Sequence, residues 1–127
     1  MADTARRERS RLAIALGMDS PLFAPAVHRF EKLLSDMEQT LAHGPWLAGD
    51  EYSLADIAYS PYMVRLQHLD FGERITTRPR VADWTRRLFA TTGYKLGVAQ
   101  WFNSGYLELF ERERPGAQAR VQQLLSA

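Results

Sequence analysis

The stretch that most constrains the fold runs from Trp46 to Ile57 and has the sequence Trp-Leu-Ala-Gly-Asp-Glu-Tyr-Ser-Leu-Ala-Asp-Ile. Ser53 is a good N-cap, because its hydroxyl can accept a hydrogen bond from the backbone N–H of Asp56. The Asp56 side chain can reach back to the backbone N–H of Ser53, which completes a capping box. Tyr52 before the cap and Ile57 at the fourth helical position predict a hydrophobic staple. The stretch therefore predicts a loop that leads into a self-capped helix.

The predicted helix that follows this cap extends from Leu54 to about His68 and is apolar nearly all round. A helix without a clear polar face is usually buried among other helices. Pro61 lies inside it, which predicts a kink or the loss of one hydrogen bond. We therefore expect the central helix of an all-α domain.

Two further helices are predicted on either side of the central one. Ser20 and Pro21 are suited to the N-cap and first position of a helix whose apolar residues recur every three or four positions up to Leu41. Pro79 is suited to the first position of another helix. The inward side chains of that helix are Val81, Trp84, Leu88 and Phe89.

The C-terminal tail predicts shorter elements. A short helix is expected around Tyr106 to Phe110, and Pro115 then opens a last amphipathic segment. No strand pattern of alternating residues persists anywhere in the chain. We therefore predict an all-α bundle of five to seven helices, formed as a single domain over residues 1–127, with the assignment of residues 1–20 left open.

Composition excludes several classes of site and protein. The chain has 127 residues, 46% apolar and 24% charged, with a formal net charge of +1, which is ordinary for a soluble globular protein. The absence of cysteine excludes disulfides, thiolate catalysis and Cys-ligated zinc. No apolar run approaches the ~18 residues of a membrane helix. We expect a cytoplasmic protein that binds neither membrane nor nucleic acid.

The first twenty residues carry four arginines at positions 6, 7, 9 and 11, followed by a short apolar run. This composition favours an amphipathic helix with solvated arginines. An export signal and a nucleic-acid-binding arm are weaker alternatives, because the apolar run is short and acidic residues dilute the basic cluster.

No metal centre or catalytic set is predicted from the residues. His28, His43 and His68 are scattered and lack the spacing of a zinc helix. The capping box accounts for the type and position of Asp56, so a structural role is favoured over an acid or base role. We expect no metal and assign no catalytic residue.

Two motifs together carry a family resemblance. The Trp46–Ile57 stretch and the later Arg78-Pro79-x-Val81-x-x-Trp84 resemble the C-terminal helical domain of the glutathione S-transferase superfamily. In that family the capping box and staple open the core helix of the domain. The resemblance places these roles on Ser53, Asp56, Tyr52 and Ile57.

The resemblance implies that the functional groups of a complete protein are divided between two domains. Complete members of the superfamily begin with a thioredoxin-like domain that holds most of the glutathione site and the residue that activates the thiol, and this chain contains no counterpart of it. The chain is either the C-terminal part of a longer protein or a stand-alone helical domain. Glutathione is then the co-substrate of a complete protein, and no cofactor is bound by this chain alone. In the family the helical domain also lines part of the hydrophobic-substrate pocket, and the candidate lining residues here are Trp101, Phe102, Tyr106 and Phe110.

Two functions follow as expectations. The first is support of glutathione transfer to small hydrophobic electrophiles in a complete protein, with the chain alone inactive. The alternative is a non-catalytic module for protein–protein interaction or dimerisation, in which the tail aromatics are core or dimer contacts. The expected partners are a second copy of the chain or a thioredoxin-like domain.

Overall fold

The computed structural model describes residues 2–127. Within this range all regular secondary structure is helical, apart from one isolated β-bridge between Trp46 and Gly49. This confirms the predicted all-α fold of five to seven helices. The seven α-helices are α1 (Ala2–Leu16), α2 (Phe23–Thr40), α3 (Leu54–His68), α4 (Gly72–Thr76), α5 (Pro79–Ala90), α6 (Thr92–Gly97) and α7 (Ser104–Ser126), with 3₁₀ turns at Gly17–Asp19 and Ala99–Trp101.

The core lies where α2, α3 and α5 meet. Trp84 of α5 is completely buried at its centre, and the three helices contribute apolar faces with the predicted spacing of three and four residues. Close packing of these side chains is the main stabilising term of the domain. The buried apolar residues of this cluster are Leu34, Met37, Leu41, Met63, Leu66, Ile75, Val81, Trp84 and Leu88.

A carboxylate from α2 caps the start of α5. The N-cap residue of α5, Arg78, makes no side-chain capping bond. Instead the Glu38 carboxylate accepts hydrogen bonds from the backbone N–H groups of Arg80 at 3.0 Å and Val81 at 2.9 Å. One heptad earlier, Glu31 pairs with Arg78 at 2.8 Å. These contacts fix the start of α5 against α2, because they satisfy donors that the helix cannot satisfy itself.

The proline inside α3 is compensated locally. Pro61 cannot donate to the carbonyl of Ile57, which lies four residues earlier. That carbonyl accepts a 2.8 Å hydrogen bond from the hydroxyl of Ser60 instead. The helix therefore continues through Pro61 to His68 without an unsatisfied acceptor at this point.

The first two segments differ in how they match the sequence predictions. The N-terminal residues form the predicted helix α1, which is exposed along nearly all of its length. The next helix begins at Phe23 and not at Pro21. Ser20 is buried, and its hydroxyl accepts a 3.2 Å hydrogen bond from the backbone N–H of Leu22 within a turn, so it closes this turn before the helix starts.

The predicted division of the tail at Pro115 is wrong. Helix α7 runs unbroken through this proline. A proline in a helix interior costs about 3 kcal/mol, and tertiary contacts offset it here. Val121 is buried in the body of the domain, and the Gln118 amide donates to the backbone oxygen of Asp70 at 3.1 Å. No helix within residues 2–127 combines the length and the apolarity that crossing a membrane requires.

Candidate functional site: an aromatic cleft beside the capped core helix

The start of α3 is organised around the carboxylate of Asp56, which is fully buried. Its Oδ1 accepts hydrogen bonds from the indole Nε1 of Trp84 at 2.7 Å and from the backbone N–H of Leu47 at 3.0 Å. Its Oδ2 accepts from the backbone N–H of Ser53 at 2.9 Å and from the Ser53 hydroxyl at 3.1 Å. The Ser53 hydroxyl in turn accepts from the backbone N–H of Ala55 at 3.2 Å. The carboxylate thus joins the loop, the helix start and the central tryptophan.

These hydrogen bonds determine the charge state of Asp56. Burial raises the pKa of this carboxyl, but the hydrogen bonds from Leu47, Trp84 and Ser53 outweigh burial, and the net result is a pKa below the ordinary value. The group is therefore ionised at neutral pH, with both oxygens engaged by donors. Such a carboxylate is a poor proton acceptor, which supports a structural role over a catalytic one.

The two residues of the predicted staple lie at the surface. Tyr52 contacts Trp46 edge to face, with 5.1 Å between ring centroids. Tyr52 is 40% exposed and Ile57 is 48% exposed. The Arg87 guanidinium lies 4.5 Å from the centroid of the Trp46 ring and donates to the backbone oxygen of Pro45 at 2.5 Å. The loop before α3 is therefore held mainly against α5, and the staple stays a prediction.

One face of α3 is not covered as its composition predicts. Leu54 is 82% exposed, Ile57 48% and Tyr62 45%. Leu54 and Ile57 lie about one turn apart, and Tyr62 lies further along the helix at the edge of the same side. The expectation that α3 is buried on all sides is wrong for these residues. Leu54 and Ile57 are exposed, and Tyr62 stays partly exposed although its ring contacts Phe30 of α2, with 5.8 Å between ring centroids.

All four predicted tail aromatics lie around one cleft at the C-terminal end of α3. The cleft has a volume of about 460 Å³ and is open to solvent on one side. The 3₁₀ turn and the first turns of α7 supply the aromatic side, and α3 supplies the polar side. The lining residues are Arg65, His68, Trp101, Phe102, Asn103, Tyr106, Leu107 and Phe110.

The side chains in this cleft are stacked on one another. The imidazole of His68 packs edge to face on Phe102, with 4.7 Å between ring centroids, and nearly parallel to Phe110 at 6.1 Å. The Arg65 guanidinium carbon lies 4.8 Å from the centroid of the Phe110 ring. Trp101, whose indole N–H donates to a backbone oxygen, is 74% exposed. The cleft therefore offers open aromatic surface next to a cation.

The ionisable groups of the cleft differ in charge. Burial lowers the pKa of His68, and the positive charge of Arg65 lowers it further. The imidazole is therefore neutral at pH 7, whereas the guanidinium is charged. Sequence reasoning placed no function on either residue. Their spacing of three residues puts both side chains on one helix face, and this spacing was the signal available in the sequence. The residues that contact this face come from the tail, and their position depends on the path of the chain.

Metal binding has no support in the described residues, since residues 2–127 contain no group of three or more His, Asp or Glu side chains arranged to hold an ion. The polar side-chain groups of the cleft are one guanidinium, one imidazole, one amide, one phenol and the indole N–H of Trp101, which donates to a backbone oxygen. They are suited to an organic molecule rather than to a hard cation, which prefers carboxylate and carbonyl oxygens.

Residues 6–87 match the family described as glutathione S-transferase, C-terminal domain. The chain belongs to this family. The matched range of this glutathione S-transferase domain includes the capping box, Arg65 and His68, whereas the four tail aromatics lie beyond it. The helical core and the polar side of the cleft therefore lie within the matched range, and the aromatic side lies outside it.

Several curated proteins resemble the domain. The 2,5-dichlorohydroquinone reductive dechlorinase of Sphingobium indicum is 31% identical over 94 residues, which cover 70% of this chain and 27% of that protein. Glutathione S-transferase TCHQD of Arabidopsis thaliana is 33% identical over 73 residues, 57% of this chain and 27% of that protein. Tetrachloro-p-hydroquinone reductive dehalogenase of Sphingobium chlorophenolicum is 29% identical over 77 residues, 61% of this chain and 31% of that protein. The chain thus spans about a quarter to a third of the length of these relatives. No solved structure matches it.

Proposed function

We propose that this domain supports glutathione-dependent transfer to, or dehalogenation of, small aromatic electrophiles in a complete protein. The aromatic cleft at the end of α3 is the observation that carries the proposal. In this proposal the cleft forms one wall of the electrophile site. A thioredoxin-like domain supplies the glutathione site and activates the thiol.

The chemistry of the cleft supports this assignment. Its volume of about 460 Å³ lies within the range of ~300–1,000 Å³ that small-molecule sites occupy. Trp101 and Tyr106, which are 74% and 64% exposed, offer ring surface on which a planar ligand can stack. Three relatives are named for dehalogenation of chlorinated hydroquinones or as a glutathione S-transferase. A small halogenated aromatic ring suits both the size and the surface of the cleft.

Glutathione itself is assigned to the complete protein and not to this chain. The lining of the cleft offers one charged side chain, Arg65, to a tripeptide that carries two carboxylates and an ammonium group. We therefore expect no heat on calorimetric titration of the chain with millimolar glutathione. A saturable signal of defined stoichiometry would show that the chain builds a glutathione site of its own and would refute this division of roles.

The function is tested in a chimera. This chain replaces the matched segment of the Sphingobium indicum dechlorinase, and chloride release from 2,5-dichlorohydroquinone is measured with and without glutathione. We expect glutathione-dependent release that falls about tenfold in kcat/KM in Trp101→Ala and Tyr106→Ala, as expected for the loss of one aromatic contact. Arg112→Ala, an exposed change elsewhere on α7, serves as the matched control. Unchanged release in both cleft variants of an active chimera would refute the proposal.

The second candidate function is a dimerisation module, and the exposed apolar face of α3 favours it. Leu54, Ile57 and Tyr62 are all exposed on one side of this helix, and exposed apolar patches mark interaction surfaces. The partner in this proposal is a second copy of the chain. Sedimentation across a range of protein concentrations should then show a dimer that Leu54→Asp dissociates. A monomer at all concentrations would count against this candidate.

A further inference from the structure

The cleft contains a cation without a partner. Within residues 2–127, the ion pairs of the protein do not include Arg65. Other arginines near the end of α3 are paired: Arg74 and Arg78 with Glu31, and Arg114 with Asp70. Arg65 instead lies over the ring of Phe110.

The lining residues of the cleft include no aspartate or glutamate. The charge of the lining is therefore positive and comes from Arg65. Guanidinium groups bind carboxylate and phenolate oxygens through charge-assisted hydrogen bonds. The Phe110 ring covers one face of the guanidinium. The N–H groups at the edges of the guanidinium remain available for an acceptor.

His68 adds a second polar group at the same place. Its ring lies between Phe102 and Phe110, and the protein supplies its side chain with no hydrogen bond within the described residues. A neutral imidazole presents one donor and one acceptor. Trp101 and Tyr106 line the same cleft, so one ligand can stack on an indole or phenol ring while its polar substituent reaches Arg65 and His68.

From this arrangement we infer that the cleft selects aromatic anions, in which a planar ring stacks on Trp101 and Tyr106 and an oxygen substituent with negative charge binds Arg65. Aryl carboxylates and phenolates share this chemistry. The inference rests on the proposed function, since it specifies the charge of the electrophile that this cleft accepts. It makes Arg65 the specificity-determining residue and His68 a hydrogen-bonding partner.

The test uses the purified chain and two pairs of probes that differ in charge. The first pair is 4-nitrobenzoate and 4-nitrobenzamide; the second is 2,6-dichloro-4-nitrophenolate and its methyl ether. Binding is followed by NMR through the indole N–H resonance of Trp101, which Trp101→Phe identifies by its loss. The indole of Trp84, buried and bonded to Asp56, is an internal control that should not shift.

We expect each anion to shift the Trp101 resonance and to bind about fivefold more tightly than its neutral analogue, the scale of a partly exposed ion pair. Arg65→Gln should abolish this preference, and Arg65→Lys should retain part of it. Arg112→Gln removes an exposed charge on α7 that pairs with its neighbour Glu113 and should change nothing. A preference for only one of the two anions would restrict the ligand to that class and still support an anion site.

Three results would overturn the inference. Equal binding of anion and neutral analogue at Trp101 would leave the cleft as an electrophile site but remove the charge selection. An equal loss of affinity in Arg65→Gln and Arg112→Gln would show a general effect of net charge. No shift of the Trp101 resonance with any probe would refute both the inference and the proposed role of the cleft.

Discussion

Replacement of Asp56 by alanine tests whether this carboxylate is more than a helix cap. A lost N-cap costs about 1 kcal/mol, and this is the expected effect of Ser53→Ala. Asp56→Ala also leaves the indole N–H of Trp84 without its 2.7 Å partner in the centre of the core. A buried donor without a partner costs about 1–3 kcal/mol. The backbone N–H of Leu47 loses its acceptor as well, so the total should reach about 3–5 kcal/mol.

Urea denaturation at pH 7, followed by tryptophan fluorescence, measures both free energies of unfolding. We expect the cost of Asp56→Ala to exceed that of Ser53→Ala by at least about 2 kcal/mol, the upper part of the range for one buried donor. Equal costs for the two variants would refute the reasoning, because they would show that the Asp56 carboxylate contributes only as a cap.

The pH dependence of stability provides an independent check on Asp56. Its pKa is lowered in the folded protein, so the unfolded chain binds more protons between the folded and unfolded pKa values. The stabilisation is fully present above the unfolded pKa of about 4 and is lost as pH falls through the folded pKa. In Asp56→Asn the stability should therefore decline less steeply over this acid range. An unchanged slope would contradict the assigned pKa shift.

Three further predictions concern single contacts. Glu38→Ala should lower the free energy of unfolding by about 1 kcal/mol in urea denaturation, because it removes the cap of α5; an unchanged midpoint would argue against this cap. Ser60→Ala should cost about 1 kcal/mol because a carbonyl in α3 loses its donor, and adding Pro61→Ala, which restores a backbone N–H, should recover part of this loss. NMR titration should show the pKa of His68 below its ordinary value and raised by Arg65→Gln, which removes a repelling charge. The stabilisation linked to His68 is present above the ordinary pKa of histidine and is lost as pH falls through the pKa of His68 in the folded protein. A measured His68 pKa above the ordinary value would reverse this pH dependence of stability and contradict the prediction.

Local patterns in the sequence predicted much of the helical framework. The start of α3 at Leu54 follows from Ser53 and Asp56, which lie three residues apart. Their side chains accept hydrogen bonds from backbone N–H groups at the start of the helix. The buried face of α5 follows from the spacing of Val81, Trp84 and Leu88. Such features depend on residues within one or two turns, and helical geometry alone brings them together.

Local patterns failed where distant contacts compete with local preference. Pro115 predicts a break, but contacts of the C-terminal half of α7 with distant parts of the chain carry the helix through it. The apolar surface of α3 predicts burial on all sides, but Leu54 and Ile57 are exposed. Periodicity shows on which face of a helix the apolar side chains lie. The number of neighbouring helices decides which of these side chains are buried.

The sequence by itself determined the helix class, the cap at Ser53 and Asp56, and the aromatic character of the tail. The tertiary structure alone decided that those aromatics meet Arg65 and His68 in one cleft. The physical reason is that this meeting depends on the path of the chain from α5 through α6 to α7, which long-range packing sets. No spacing within the tail or within α3 encodes the distance between them.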